Sequence, residues 1–252
     1  MKKLYLDIET SPNVCFTWSL FNVNISLSQI VASGYTLCWA AKWSGKKKIM
    51  FASIQDGEKK MLEEIHALLE EAEAVIHYNG RKFDIPVLNK EFLKHGFAPP
   101  SSYHQIDLIQ TMRGRFKLTS NKLDYVAGFL GVGNKVHHKG MELWAQCMDG
   151  DPKAWAIMKK YNIQDVRLLP LVYKKILPWM TTHPNEALYS TGEYPMCTNC
   201  GSENVIRKGV EHSKTQTYQR FKCKDCGTPL RGRHTILSPE KRRVILTQSK
   251  VA

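Results

Sequence analysis

Apolar and polar positions alternate along the first residues of the chain. Leu4, Leu6 and Ile8 are set against Tyr5, Asp7 and Glu9, the period of a half-buried strand. A β-rich stretch follows over 29–43, then a Ser44-Gly45 turn and a further short strand at 48–53. From 56 to 74 the apolar positions Met61, Ile65, Leu68 and Leu69 share one helix face. Residues 74–78 read as a short apolar strand broken by Asn79-Gly80. A helix over 83–95 is closed by Gly96 and stopped by Pro99-Pro100. A strand or strand end covers 106–109, and a short helix 121–130 ends at Gly131. Pro152 opens a helical stretch to about Leu177, terminated by Pro178, with a kink or break expected at Pro170.

Strands first, then strands alternating with helices, predict an α/β class, a mixed sheet flanked by helices. Residues 181–195 lack periodicity and read as a linker between a domain over 1–180 and a small unit over 196–252. With 43% hydrophobic residues the chain can build a core, which excludes global disorder. Charges at Asp7 and Glu9 interrupt any signal-like start, and no run of about 18 apolar residues occurs. The expectation is a cytoplasmic, intracellular protein without a membrane segment.

Charge and cysteine are unevenly spread. Residues 205–252 hold twelve Lys/Arg against three acids, so +9 of the net +13 lies there. Such a segment suits a phosphate backbone, or is simply a solvated charged face. Four of seven cysteines form two pairs, Cys197/Cys200 and Cys223/Cys226. Cys15, Cys38 and Cys147 are scattered and read as small buried hydrophobes.

Three places hold acids that chemistry can use. Asp7 and Glu9 lie two apart on a strand and leave the same face, where a divalent cation relieves their repulsion; solvated acids on an edge strand are the plainer reading. Asp84 stands at a strand-to-helix turn, where it would also serve as a cap. Tyr161 and Asp165 are four apart in the late helix and share a face, as ordinary exposed pairs also do.

In order and spacing these acids resemble the three motifs of the DEDD superfamily of 3′–5′ exonucleases, which have a ribonuclease-H-like fold. Asp7-Ile8-Glu9 matches the first motif, Asn79 through Phe83-Asp84 the second, and Tyr161 through Asp165 the third. The wording from Tyr78 to Leu88 is similar to the proofreading domains of family B DNA polymerases, and Tyr161 matches the tyrosine branch. Only about 75 residues follow, so the expectation is a freestanding exonuclease or a subunit acting beside a polymerase or other replication or repair protein.

The resemblance implies two Mg²⁺ or Mn²⁺ ions held by Asp7, Glu9, Asp84 and Asp165, with Tyr161 orienting the attacking water. Two such ions suit phosphodiester hydrolysis because they activate water and balance charge on the phosphoryl group. Thr10, Asn79 and Phe83 would meet the terminal nucleotides, Phe83 alternatively serving as core. Asp107 is seen in the polymerase relatives or acts as a structural acid, and His137-His138 beside Lys135 read as surface histidines that could touch phosphate.

The two Cys-x-x-Cys pairs, separated by 22 residues and each followed by glycine (Gly201, Gly227), fit one structural Zn²⁺ in a zinc ribbon. A redox pair is the alternative. Tyr218, Arg220, Phe221, Arg231 and Arg233 interleave aromatic and basic character, suited to base stacking with phosphate contact, or to an acidic partner protein. The leading expectation is a DNA 3′–5′ exonuclease acting on free 3′ ends and releasing nucleoside monophosphates. An RNA 3′-trimming enzyme and an inactive nucleic-acid-binding protein are the alternatives.

Overall fold

The computed structural model describes residues 1–134 and 140–249, so Lys135 and the His137-His138 pair lie outside the described residues. The first strand, β1 (Lys3–Thr10), is central to the molecule's larger sheet. After it come β2 (Val14–Cys15), β3 (Ile30–Ala32), β4 (Thr36–Trp43) and β5 (Met50–Ser53). The next elements are α1 (Glu58–Glu71), β6 (Ala74–His77), α2 (Asp84–Lys94) and β7 (His104–Asp107). Four helices follow: α3 (Leu108–Arg115), α4 (Leu123–Phe129), α5 (Met141–Met148) and α6 (Pro152–Ile176). A small sheet of β8 (Val205–His212), β9 (Thr217–Cys223) and β10 (Pro229–Thr235) and a last helix, α7 (Pro239–Val244), complete the described chain.

The five-stranded sheet runs β5-β4-β1-β6-β7. β1 pairs antiparallel with β4, and β4 with β5, whereas β1–β6 and β6–β7 are parallel. This is the mixed sheet with flanking helices that the alternation of elements predicts. One face is closed by α1 and α2, where Leu4, Leu6 and Ile8 pack with Met61, Ile65, Leu69, Ile85 and Leu88. A second cluster joins Leu37 and Cys38 of β4 to α5 and α6 through Leu143, Cys147, Trp155 and Met158. Period-two alternation along β1 therefore turns Leu6 and Ile8 to one core and Asp7 and Glu9 to the opposite face.

Several expectations need revision. α6 is continuous from Pro152 to Ile176 and carries Pro170 inside it. The carbonyl one turn earlier, on Val166, loses its helical donor, while buried Val166, Leu168, Leu169 and Val172 hold the helix in place. Two helices lie where no pattern announced them: α3 begins on the residues expected to end a strand, and α5 is only eight residues long. Of the scattered cysteines, Cys38 and Cys147 are buried but Cys15 is partly exposed. From Ser11 to Gly34 the chain carries no charged residue, yet Phe16, Trp18, Leu20, Phe21 and Leu27 are exposed.

The chain divides into two compact units, Met1–Tyr173 and Lys174–Ala252, with the division inside α6. Within the second unit, Glu186 of the expected linker and the residues just before that linker are bonded to the first cysteine knuckle. Glu186 N–H donates to the Thr198 carbonyl at 2.8 Å, and buried Asn199 Nδ2 donates to the carbonyls of Leu177 and Met180 at 2.9 and 3.0 Å.

Candidate active site

Asp7 and Glu9 leave the same face of β1, and Asp165 comes to them from α6. Their carboxylate oxygens lie within 4.8 Å of one another. At the end of β1 the register with β4 slips between Glu9 and Thr10, a bulge that re-aims the chain next to the acids. Asp165 is 2% exposed, and three acids this close repel strongly in a desolvated setting unless a cation balances them. Hard oxygen donors in this number fit Mg²⁺ or Mn²⁺.

The residue between the motif positions proves to be structural to the site. Asn162, fully buried, donates from Nδ2 to Asp7 Oδ2 at 2.7 Å and to the Asp7 carbonyl at 3.2 Å. Its own Oδ1 accepts from the Cys38 thiol at 3.8 Å. Burial, then the charges of Glu9 and Asp7, push that thiol well up, so it stays a protonated donor. Tyr161 packs edge-on against Trp144 with centroids 6.0 Å apart.

A cleft of about 690 Å³ opens beside these acids, lined by Asp7, Tyr161, Asp165 and Asn79 together with Tyr78, Arg113 and Lys122. Asn79 has φ of 70°, the left-handed conformation that asparagine tolerates better than most residues. Its N–H donates to Asp107 Oδ1 at 2.7 Å, and Arg81 N–H to Asp107 Oδ2 at 3.3 Å. Asp107 also caps α3 through the Ile109 N–H, so it fixes the β6–α2 turn and acts as a structural acid. Burial pulls its pKa up, but the His77 ring and these backbone donors outweigh it and hold the carboxyl below its ordinary value. In the same turn Gly80 N–H donates to His77 Nδ1 at 3.1 Å. A β-carbon on Gly80 would lie 2.5 Å from His77 Cγ, so only glycine fits.

Asp84 is not one of the three acids that lie within 4.8 Å of one another. At the first position of α2, its Oδ1 accepts from the N–H of Ile8, the β1 residue between Asp7 and Glu9, at 3.1 Å. Burial raises its pKa to about 6, opposed by His77 and by backbone donors. Thr10 and Phe83 are not among the cleft-lining residues, and Phe83 is exposed rather than core. Arg113 and Lys122 were missed because nothing in their local pattern brings α3 and the start of α4 to this cleft; only the parallel β6–β7 pairing does.

In the second unit, Cys197, Cys200, Cys223 and Cys226 converge with all four sulfurs within 4.8 Å. The Sγ separations of 3.6 Å for Cys197–Cys226 and Cys200–Cys223 are far beyond a disulfide bond. They suit the edge of a tetrahedron whose centre lies about 2.3 Å from each sulfur, the geometry of a four-thiolate zinc site. The two knuckles repeat one another: Gly201 N–H donates to the Cys197 carbonyl and Gly227 N–H to that of Cys223, both glycines with positive φ. β8–β9–β10 form the antiparallel ribbon around them. Of the aromatic and basic residues expected to meet nucleic acid, Arg231 stacks over the Tyr218 ring at 4.3 Å and pairs with Glu211 at 3.0 Å. Arg220 and Phe221 face a separate cavity of the ribbon, and Arg233 is exposed on β10.

Residues 4–177 match the model of the RNase H superfamily named RNase_H_2. The chain belongs to the RNase H superfamily. Its members' fold agrees with the mixed sheet described above. Among solved structures it is similar to the family B DNA polymerase from the hyperthermophilic archaeon Pyrobaculum calidifontis, with a TM-score of 0.51 and 20% identity over 70% of this chain. The match spans about a quarter (24%) of that polymerase, so the likeness is one of fold. No curated protein matches the chain. The superfamily fold, with a group of acids and a four-cysteine cluster, makes this a nuclease-type, metal-binding protein. Among the described residues no helix is long and apolar enough to cross a membrane.

Proposed function

We propose that the protein is a two-metal-ion 3′–5′ exonuclease of the tyrosine DEDD type, hydrolysing phosphodiester bonds at DNA 3′ ends. The observation that carries this reading is the meeting of Asp7, Glu9 and Asp165 within 4.8 Å at a cleft that Tyr161 and Asn79 also line. Mg²⁺ or Mn²⁺ bound there supplies a water of lowered pKa and charge to balance the phosphoryl oxygens. Asp7, Glu9 and Asp165 hold the ions, and Asp84 contributes once its carboxyl is ionised.

The remaining residues bind and orient. Tyr161 positions the water that attacks phosphorus, a role that needs geometry rather than a low pKa. Arg113 and Lys122 give the cleft positive charge for the phosphates of the strand. Asn79, Thr10 and Phe83 meet the terminal nucleotides. A structural Zn²⁺ on the four cysteines holds the ribbon, which assists strand binding, and a replication or repair protein is the expected partner.

Digestion of a 5′-labelled DNA oligonucleotide and a matched RNA with Mg²⁺ or Mn²⁺ tests this. A ladder shortening from the 3′ end of DNA, abolished by Asp7→Asn, is expected. Faster shortening of RNA would make the chain an RNA-trimming enzyme. No cleavage of either strand by folded protein would overturn the enzyme reading.

A further inference from the structure

The larger sheet ends at β5, which pairs with β4 on one side. A cavity of about 570 Å³ lies there, walled by Glu64, Ala67 and Leu68 of α1 and by Lys159 and Ile163 of α6. Trp39 of β4 packs in the α1 cluster and its neighbour Cys38 in the α6 cluster, so the two helices cover opposite faces of the sheet. A cavity lined by both must cross the edge at β5. A second hollow of about 410 Å³ shares Phe51 and Lys159 with it and carries the groove on towards the start of α6. We infer that this edge takes an extended segment of a partner protein as a sixth strand, one in which acidic and apolar residues alternate.

The backbone of β5 is prepared for such a strand. Ser53 N–H donates to Asp56 Oδ2 at 3.1 Å, so it points away from β4. Phe51, two residues earlier, turns its N–H and carbonyl the same way. Ser53 is thus satisfied within the chain and ends the pairing, whereas Phe51 offers a donor and an acceptor to an incoming strand.

The two walls select the side chains. Along an added strand they alternate between the α1 side and the α6 side. On the α1 side Ala67 and Leu68 stand beside Glu64, so apolar groups fit there and carboxylates are repelled. On the α6 side Lys159 lies over the Phe51 ring at 5.1 Å, and Lys48 lines the same cavity next to exposed Lys46 and Lys47. These cations suit acidic residues. Lysines often guard a sheet edge against chance pairing, but a guard needs no hollow beneath it. A nucleic acid is the poorer fit: Trp39 is 2% exposed and Lys159 already lies over Phe51, so neither ring is open for a base. A second copy brings the same cations and a net charge of +13, and is repelled. Ile163 stands two residues from both Tyr161 and Asp165, about 200° round α6, so an occupied edge leaves the acid cleft open.

The test uses the full zinc-loaded chain and the anisotropy of a short labelled peptide in which glutamate and isoleucine alternate. A peptide of the same composition, with the two residue types in separate blocks, is the control. The alternating peptide is expected to bind at least about tenfold more tightly than the control. Ala67→Glu, Lys159→Glu and N-methylation of the peptide backbone should each weaken it by at least about tenfold, while Lys159→Arg keeps it. Amide exchange at Phe51 should slow in the complex. Both altered side chains are exposed, and circular dichroism verifies that each variant is folded. Equal binding of the two peptides, binding that survives Ala67→Glu, or no binding of either would overturn the inference. So would self-association abolished by Ala67→Glu, which gives the groove to a second copy. Displacement of the peptide by oligo-dT, with oligo-dT binding lost in Lys159→Glu, would give it to nucleic acid instead. None of these outcomes bears on the nuclease reading, because no readout depends on the acid cluster.

Discussion

Asn162 grips Asp7 twice, at its carboxylate oxygen and at its own main-chain carbonyl, 2.7 and 3.2 Å from one amide nitrogen. The contact ties the centre of β1 to the middle of α6 and fixes the rotamer of the acid proposed to hold a metal. Outer partners of metal ligands have this effect generally. Asn162→Ala should therefore lower the turnover of a 5′-labelled oligonucleotide by about 10–100-fold while zinc content stays unchanged. Cys38→Ala, which removes only the thiol that steadies the Asn162 amide, should cost less. Equal rates for Asn162→Ala and the parent would show that Asp7 holds its place without help.

On the proposed reading, Asp7→Asn and Asp165→Asn each remove a metal ligand outright. Each should reduce cleavage by at least about a hundredfold, more than the loss of an outer partner. Calorimetric titration with Mn²⁺ should show binding weakened in the same variants. Full Mn²⁺ affinity in Asp165→Asn would exclude Asp165 from the metal site.

Asp84 makes a prediction about pH. Burial sets its pKa at about 6 in the fold, against about 4 in the unfolded chain. The fold therefore keeps a proton between those values that the unfolded chain releases. The contribution of this group is most favourable below about pH 4, is lost as pH rises through 6, and is level above it. At pH 8 the ionised, buried carboxylate costs about 2–3 kcal/mol. Asp84→Asn, measured by urea unfolding in chelator, should then be more stable than the parent at pH 8 and lose that advantage by pH 4, while its nuclease activity falls. A stability gap independent of pH would contradict this assignment.

Gly80 leaves no room for a side chain over the His77 ring. Gly80→Ala should destabilise the protein by about 1–3 kcal/mol, since the buried His77 ring must shift to make room. Thermal unfolding at fixed pH reads the change.

The cysteine cluster predicts one zinc per chain by elemental analysis, lost in Cys200→Ser together with the β-signal of the ribbon. So small a unit has little core of its own, and bound metal supplies much of its folding free energy. Stoichiometric zinc retained by Cys200→Ser would dismiss the four-thiolate site.

Much of the larger unit could be read from residue order. The alternation in β1, the helical spacing of Met61, Ile65 and Leu69, and the Asn79-Gly80 break fell where the fold has them, because each is a local pattern that local sterics and burial enforce. What escaped was set at long range. Asn162 stands inside the Tyr161–Asp165 spacing as an unremarked position, and only the packing of α6 on β1 gives it a partner. Short helices such as α3 and α5 hold too few turns to show a period. Asp84 was recognised as an acid at a turn, but its burial against Ile8 depends on the sheet.

The Asp7–Asn162 bond spans 155 positions of chain, with Asp165 further on still. Contacts so distant in sequence form only after a long loop has closed, which places assembly of the acid cluster late in folding. During synthesis, β1 leaves the ribosome long before α6 exists, so its two acids wait without the third. The three acids cannot meet until nearly the whole larger unit is made, so on the proposed reading a truncated product ending before α6 cuts nothing.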